Sequence, residues 1–119
     1  MDNLNLPITI DQGATFYLPI TYKDEDGDPI IITDYSARMQ IRETLNSDDT
    51  LVDLSTETGE IVITGVDGLI VITIGTTVTA LLPAGMRGVW DLFITSPFNI
   101  VTRLLGGEAY VVGRVTRES

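Results

Sequence analysis

Asp24-Glu25-Asp26-Gly27-Asp28 sets four carboxylates within five residues, a dense set of potential metal ligands. A calcium loop needs oxygen ligands at alternating positions, a glycine at the sharp bend and a distant bidentate carboxylate. Here the glycine precedes the third alternating acid, and Tyr35 stands where the closing glutamate belongs. The segment reads as an acidic hairpin tip that would hold at most a weak, adventitious cation. Nucleophilic chemistry has less to work with. Ser36, Ser47, Ser55, Ser96 and Ser119 have no histidine partner, because the chain contains no His. The one lysine, Lys23, lies in the acidic turn, whereas a Ser–Lys dyad needs a buried, neutral amine. Seventeen acids offer many pairs for glycosidase-type chemistry, but one Trp, three Phe and four Tyr supply no aromatic platform beside them. Gly106-Gly107 would cradle a phosphate at a helix start, and no helix follows it. The chain also lacks Cys, so disulfides, zinc–thiolate sites and thiol nucleophiles are excluded. The expectation is a non-enzyme with no catalytic residue, no cofactor and no metal.

What remains is contact chemistry. Arg38, Arg42, Arg87, Arg103, Arg114 and Arg117 fall mostly on outward strand positions. Cross-strand pairing with Asp or Glu is the default expectation for them. Docking onto an acidic partner is the sharper alternative, since a guanidinium matches a carboxylate fork. Phe93 faces away from the core if Trp90, Leu92 and Ile94 face into it, and Phe98 follows at a turn tip. The candidates for partner contact are therefore Phe93, Phe98, Arg87, Arg103 and Arg114. They share the one segment that is not strongly acidic: residues 1–85 carry a net charge of −11 and residues 86–119 a net +1.

These residues need a frame. A chain of 119 residues with 44% hydrophobic and 20% charged residues is one globular domain, 1–119, with 1–5 and 116–119 expected to be ragged. A net charge of −10 disfavours nucleic acid and anionic membrane surfaces alike. No stretch reaches the ~18 apolar residues of a membrane span. Met1-Asp2-Asn3-Leu4-Asn5 lacks the basic start of a signal peptide, so a cytoplasmic protein, or one that leaves in an assembly, is expected.

The period of the apolar residues is mostly two. Phe16, Leu18, Ile20 and Tyr22 alternate with Thr15, Tyr17, Pro19 and Thr21, a half-buried strand with Pro19 at an edge or bulge. Ile30–Thr33 reads as a short strand, and Ala37, Met39 and Ile41 alternate with Arg38, Gln40 and Arg42. Leu51–Leu54, Ile61–Thr64 and Leu69–Ile74 follow, the last two joined by Gly65-Val66-Asp67-Gly68. Residues 76–82 are the one plausible helical turn, with Thr76 or Thr77 as cap. Gly85–Thr95, Ile100–Leu105 and Ala109–Val115 close the chain, with a bulge at Gly106-Gly107. About eight short strands predict an all-β fold, an antiparallel sandwich or a small barrel.

Asp11-Gln12-Gly13-Ala14-Thr15-Phe16 and Ile32-Thr33-Asp34-Tyr35-Ser36-Ala37-Arg38-Met39-Gln40-Ile41-Arg42 carry a resemblance. They resemble small tailed-phage virion proteins that open on a Gln-Gly-Ala/Ser-Thr-Phe strand and continue through an Asp-x-Asp-Gly-x-Pro turn. A Leu-Thr-Gly-Tyr-x-Ala-Arg-Met-Gln-Ile-Arg strand then follows in that group. Leu82-Pro83-Ala84-Gly85, Trp90-Asp91-Leu92 and the run from Thr95 to Gly107 fit it too, so the likeness extends from about Leu6 to Arg117. The chain is also similar to the N-terminal domain of phage baseplate upper proteins. The resemblance implies an antiparallel immunoglobulin-like β-sandwich in the virion, contacting tail, neck, baseplate, fibre or capsid subunits as a symmetric multi-copy assembly. It implies a structural role in the tail, neck or baseplate, with capsid decoration as the alternative; a carbohydrate-binding module is a third reading. Two departures stand out. Ile31-Ile32-Thr33-Asp34 replaces Asp-Leu-Thr-Gly, so the turn before Tyr35 must form without glycine, and Phe93 stands where the group often has a polar residue.

Overall fold

Strand pairing in the computed structural model, which describes residues 4–116, follows the alternation of side chains. The strands are β1 (Leu4–Asn5), β2 (Ile8–Asp11), β3 (Phe16–Thr21), β4 (Ser36–Arg42), β5 (Val52–Ser55), β6 (Ile61–Thr64), β7 (Leu69–Ile74), β8 (Arg87–Thr95) and β9 (Val101–Val112). One sheet runs β5-β4-β8-β9, with β1 and β2 both along the free side of β9; the other runs β3-β7-β6. Met39 and Ile41 of β4, Trp90, Leu92 and Ile94 of β8, and Ile70, Ile72 and Ile74 of β7 are all buried between them. Each such aliphatic side chain stabilises the fold by about 1.5–3 kcal/mol on burial.

This is an all-β sandwich with immunoglobulin-like strand order. The three-stranded sheet holds the B, E and D strands of that plan, and the larger sheet its C′, C, F and G strands. The tryptophan stands on β8 rather than on the C strand, and with no Cys the usual inter-sheet disulfide is missing. No covalent bridge between the sheets replaces it.

Several expectations need correction. Nine strands are described, in keeping with the expected eight or so, but β1 and β2 pair parallel with β9, an exception to the antiparallel pairing of the rest. Leu4 and Asn5 are thereby part of the sheet rather than ragged, while residues 1–3 and 117–119, Arg117 and Ser119 among them, lie outside the described residues. Ile30–Thr33 is no strand. The Ile30 amide donates to Tyr22 and that of Ile32 to Gly65, two different partners, so no ladder forms although Ile32 is fully buried. The helical turn, α1, is Thr76–Thr79, shorter than 76–82; Gly75 precedes it and no side chain caps it. The bulge lies at Leu104, between Leu92↔Leu105 and Phe93↔Arg103, and not at Gly106-Gly107. It turns Leu104 and Leu105 both inward. The last strand ends at Val112 rather than Val115.

Other details follow the sequence closely. β3 is an edge strand, so Pro19, which has no amide hydrogen, leaves no ladder bond unmade. Asp34 adopts the left-handed conformation, φ 65°, that a glycine would fill without strain. The Gln12-Gly13-Ala14 segment forms a clasp. The Gln12 side-chain amide donates to the Leu82 carbonyl (2.9 Å), and its oxygen accepts from the Arg114 amide (3.3 Å). The Thr79 hydroxyl, fully buried, donates to the Ala14 carbonyl (2.9 Å) and accepts from the Gly13 amide (3.1 Å).

Candidate docking face

The pairing register puts one row of side chains across the outer face of the larger sheet: Ser55 on β5, Arg38 on β4, Phe93 on β8 and Arg103 on β9. The bulge at Leu104 sets Arg103 opposite Phe93; a regular ladder would have put another residue there. The next row is Asp53, Gln40, Asp91 and Gly106, and beyond it come Arg42, Val89 and Glu108. Arg87 and Tyr110 form the last pair. Arg38, Arg42, Arg87 and Arg103 thus share this face with Asp11, Asp53, Asp91 and Glu108, and its charges balance. The rest of this strongly acidic molecule keeps its carboxylates mainly in the loops.

The arginines are held in different ways. Arg38 forms a fork on Asp53, Nε to Oδ1 at 3.0 Å and a terminal nitrogen to Oδ2 at 2.6 Å, and Gln40 adds a bond of 3.2 Å. The hydrogen bond from Arg38, more than its charge, holds the Asp53 carboxyl below its ordinary range, and the same bond raises the guanidinium. Arg42 donates to the Ser47 and Asp48 carbonyls and to Gln40. Arg87 lies over the Tyr110 ring, 5.1 Å from its centroid, a cation–π geometry. The Tyr110 hydroxyl donates to Glu108, which keeps the phenol proton on and its pKa raised. The Arg103 guanidinium lies over Gly106, in space that a Cβ there would occupy. Among the described residues only Arg38 makes an ion pair, so cross-strand pairing with acids holds for that arginine alone.

Phe93 is 37% exposed between Arg38 and Arg103, and two grooves open on this face, one of them lined by Phe93. One, about 460 Å³, is lined by Phe93, Thr95, Arg38, Asp53 and the Ser55–Thr58 turn. The other, about 520 Å³, is lined by Gln40, Arg42, Leu45, Asp91, Arg103 and Glu108. The five contact candidates do not form one patch. Phe93 and Arg103 are cross-strand neighbours, and Arg87 lies on the same face six residues along β8, about 20 Å away. Phe98 is 86% exposed at the β8–β9 turn, off the sheet. Arg114 belongs to the clasp at Gln12 and Gly13. Alternation in the sequence points Arg38 outward, but nothing local shows that it, Gln40 and Asp53 border Phe93 or its neighbours; that takes the strand order.

Elsewhere, Asp24, Asp26 and Asp28 bring their carboxylates within 4.8 Å of one another, all exposed. The cause is an Asx turn, in which Asp24 Oδ1 accepts the Asp26 and Asp28 amides at 3.0 Å each. Gly27 takes the positive φ of this tip. The Ser96 hydroxyl accepts the Phe98 and Ile100 amides, and Ser47 and Ser55 make similar local bonds with Thr44 and Thr58.

No protein-family description matches the chain, and no curated protein does. Among solved structures it is similar to the immunoglobulin-like domain of mouse leukocyte-associated immunoglobulin-like receptor 1, crystallised as a strand-swapped dimer. The TM-score is 0.47 and the identity 16%, over 92% of this chain and 90% of that one. It is also similar to Drosophila OTK, extracellular domains 3–5, with a TM-score of 0.31 and 11% identity, covering 92% of this chain and 33% of that one. The strand order, rather than either likeness, identifies the fold.

Proposed function

We propose that this chain is a non-enzymatic structural protein of a tailed-phage virion, an adaptor or fibre mount in the tail, neck or baseplate. It docks on a neighbouring subunit through the outer face of the larger sheet. One observation carries the reading. Phe93 stands where the phage group that the sequence resembles often has a polar residue, and the register places it between Arg38 and Arg103 on a charge-balanced face. An exposed aromatic flanked by guanidinium groups supplies an anchor for contact, and the balanced charge lets a neighbour approach without the repulsion of an acidic body. The role is passive: the sandwich holds the row in place, and the row holds the neighbour.

Copy number and symmetry in purified particles test the assignment. Threefold, sixfold or twelvefold rings agree with the tail, neck or baseplate. Hundreds of copies on a lattice would make the protein a capsid decoration instead. Absence from particles would overturn the virion reading altogether.

A further inference from the structure

Two opposite charges on the outer face of the larger sheet are left unspent. Arg103 and Asp91 are both half-buried, and both line the groove of about 520 Å³. Among the described residues neither side chain makes an ion pair, with the other or with any third group. The rest of the face is already engaged. Arg38 is forked on Asp53, Arg42 donates to the Ser47 and Asp48 carbonyls, and Arg87 lies over the Tyr110 ring. Glu108, the other acid of this groove, accepts the Tyr110 hydroxyl.

The register explains how the two charges come to stand there. The bulge at Leu104 sets Arg103 opposite Phe93, and Asp91 falls in the next row, two residues along β8. The Arg103 guanidinium rests over Gly106, where any side chain would displace it. Its fork of N–H donors is thus held beside the aromatic anchor, with no acceptor assigned to it.

Docking through Phe93 strips water from the groups around it. A half-buried charge that is then covered without a partner is heavily penalised, so a neighbour on this face must bring an acceptor for Arg103 and a donor for Asp91. A guanidinium matches a carboxylate fork, and a carboxylate matches an ammonium or a guanidinium. We propose that the neighbouring subunit enters this groove with a pair of opposite charges, a carboxylate on Arg103 and a Lys or Arg on Asp91, beside its contact with Phe93. This rests on the docking role proposed for the face and names the chemistry of the partner there. The pair also makes the contact selective. A surface bearing only acids would meet Asp91 with like charge, and one bearing only bases would meet Arg103.

Competitive incorporation into assembling particles, with Phe93→Asp run beside the new variants, tests the pairing. Arg103→Asp and Asp91→Arg should each keep the parent's circular dichroism and be depleted at least about tenfold. Arg103→Gln and Asp91→Asn, which remove the charge without reversing it, should be depleted by a smaller factor. The double variant Arg103→Asp with Asp91→Arg should be depleted further than either single, because both positions then face like charge. A double variant that incorporates as well as the parent would mean that the two charges pair with each other, and would overturn the proposal. Normal incorporation of either single reversal, with Phe93→Asp depleted, would overturn it and leave the docking role standing. Normal incorporation of Phe93→Asp would remove the docking role and this proposal with it.

Discussion

Replacing Trp90 by phenylalanine and by alanine separates two contributions of one side chain. The indole is only 3% exposed, and its Nε1–H donates to the Leu6 carbonyl at 2.8 Å. The Leu6 amide in turn donates to Gly106 on β9 at 2.8 Å, so Trp90 helps to hold the N-terminal strands along the sheet. Trp90→Phe keeps most of the aromatic packing and leaves the Leu6 carbonyl without its donor. An unpaired, partly buried acceptor costs about 1–3 kcal/mol. Trp90→Ala also removes the ring from the core, and its cost should be about 3–5 kcal/mol. Urea denaturation followed by circular dichroism measures both, since the chain has no other tryptophan to report by fluorescence. In the Phe variant the Leu6 amide should also exchange its hydrogen faster than in the parent. Equal losses in the two variants would refute the division into packing and hydrogen bond. Red-shifted, readily quenched emission from the native protein would refute the burial itself.

Titrating calcium into metal-free protein should leave the melting temperature unchanged at submillimolar concentrations, because the carboxylates at 24, 26 and 28 belong to an Asx turn without a closing ligand. A rise of several degrees would show binding to the folded state and contradict this. Asp53 has a folded pKa lowered by Arg38, so its stabilising effect is present above its unfolded pKa, about 3.9, and is lost as pH falls through the lower folded value. The stability gap between the parent and Asp53→Asn should therefore be open at pH 6 to 7, close below about pH 4, and narrow in high salt. A gap that widens on acidification would contradict the assignment. Asp34→Val forces a β-branched residue into the left-handed conformation and should cost about 1–2 kcal/mol, while Asp34→Gly should change stability by no more than ~1 kcal/mol. Equal urea midpoints for the two variants would count against strain at this turn.

The parts of the fold legible from the sequence are those in which neighbours along the chain decide the outcome. The in–out alternation of Ala37–Arg42 and Trp90–Thr95, the inward Ile70, Ile72 and Ile74, and the Gly27 and Gly68 turns are all of this kind. What was missed depends on partners far away in sequence. The parallel docking of β1 and β2 on β9 joins residues about a hundred positions apart and leaves no local periodicity. The bulge leaves a trace, two consecutive inward leucines at 104 and 105, but the adjacent Gly106-Gly107 pair is the stronger local signal for one. Thr79 read as a helical residue because nothing nearby shows that its hydroxyl bridges Gly13 and Ala14. The docking face was half legible. Alternation set Phe93 outward, while the row through Arg38 and Arg103 needed the strand order and the bulge.

Incorporation of Phe93→Asp into assembling particles, in competition with the parent chain, tests the docking role most directly. Truncating one interface anchor costs about 2–4 kcal/mol, well above the effect of a rim charge. The substitution lies on an exposed strand position and should leave the isolated domain folded, with a melting temperature near that of the parent. The account predicts a folded variant that is depleted from purified particles. A folded variant that incorporates as well as the parent would contradict it.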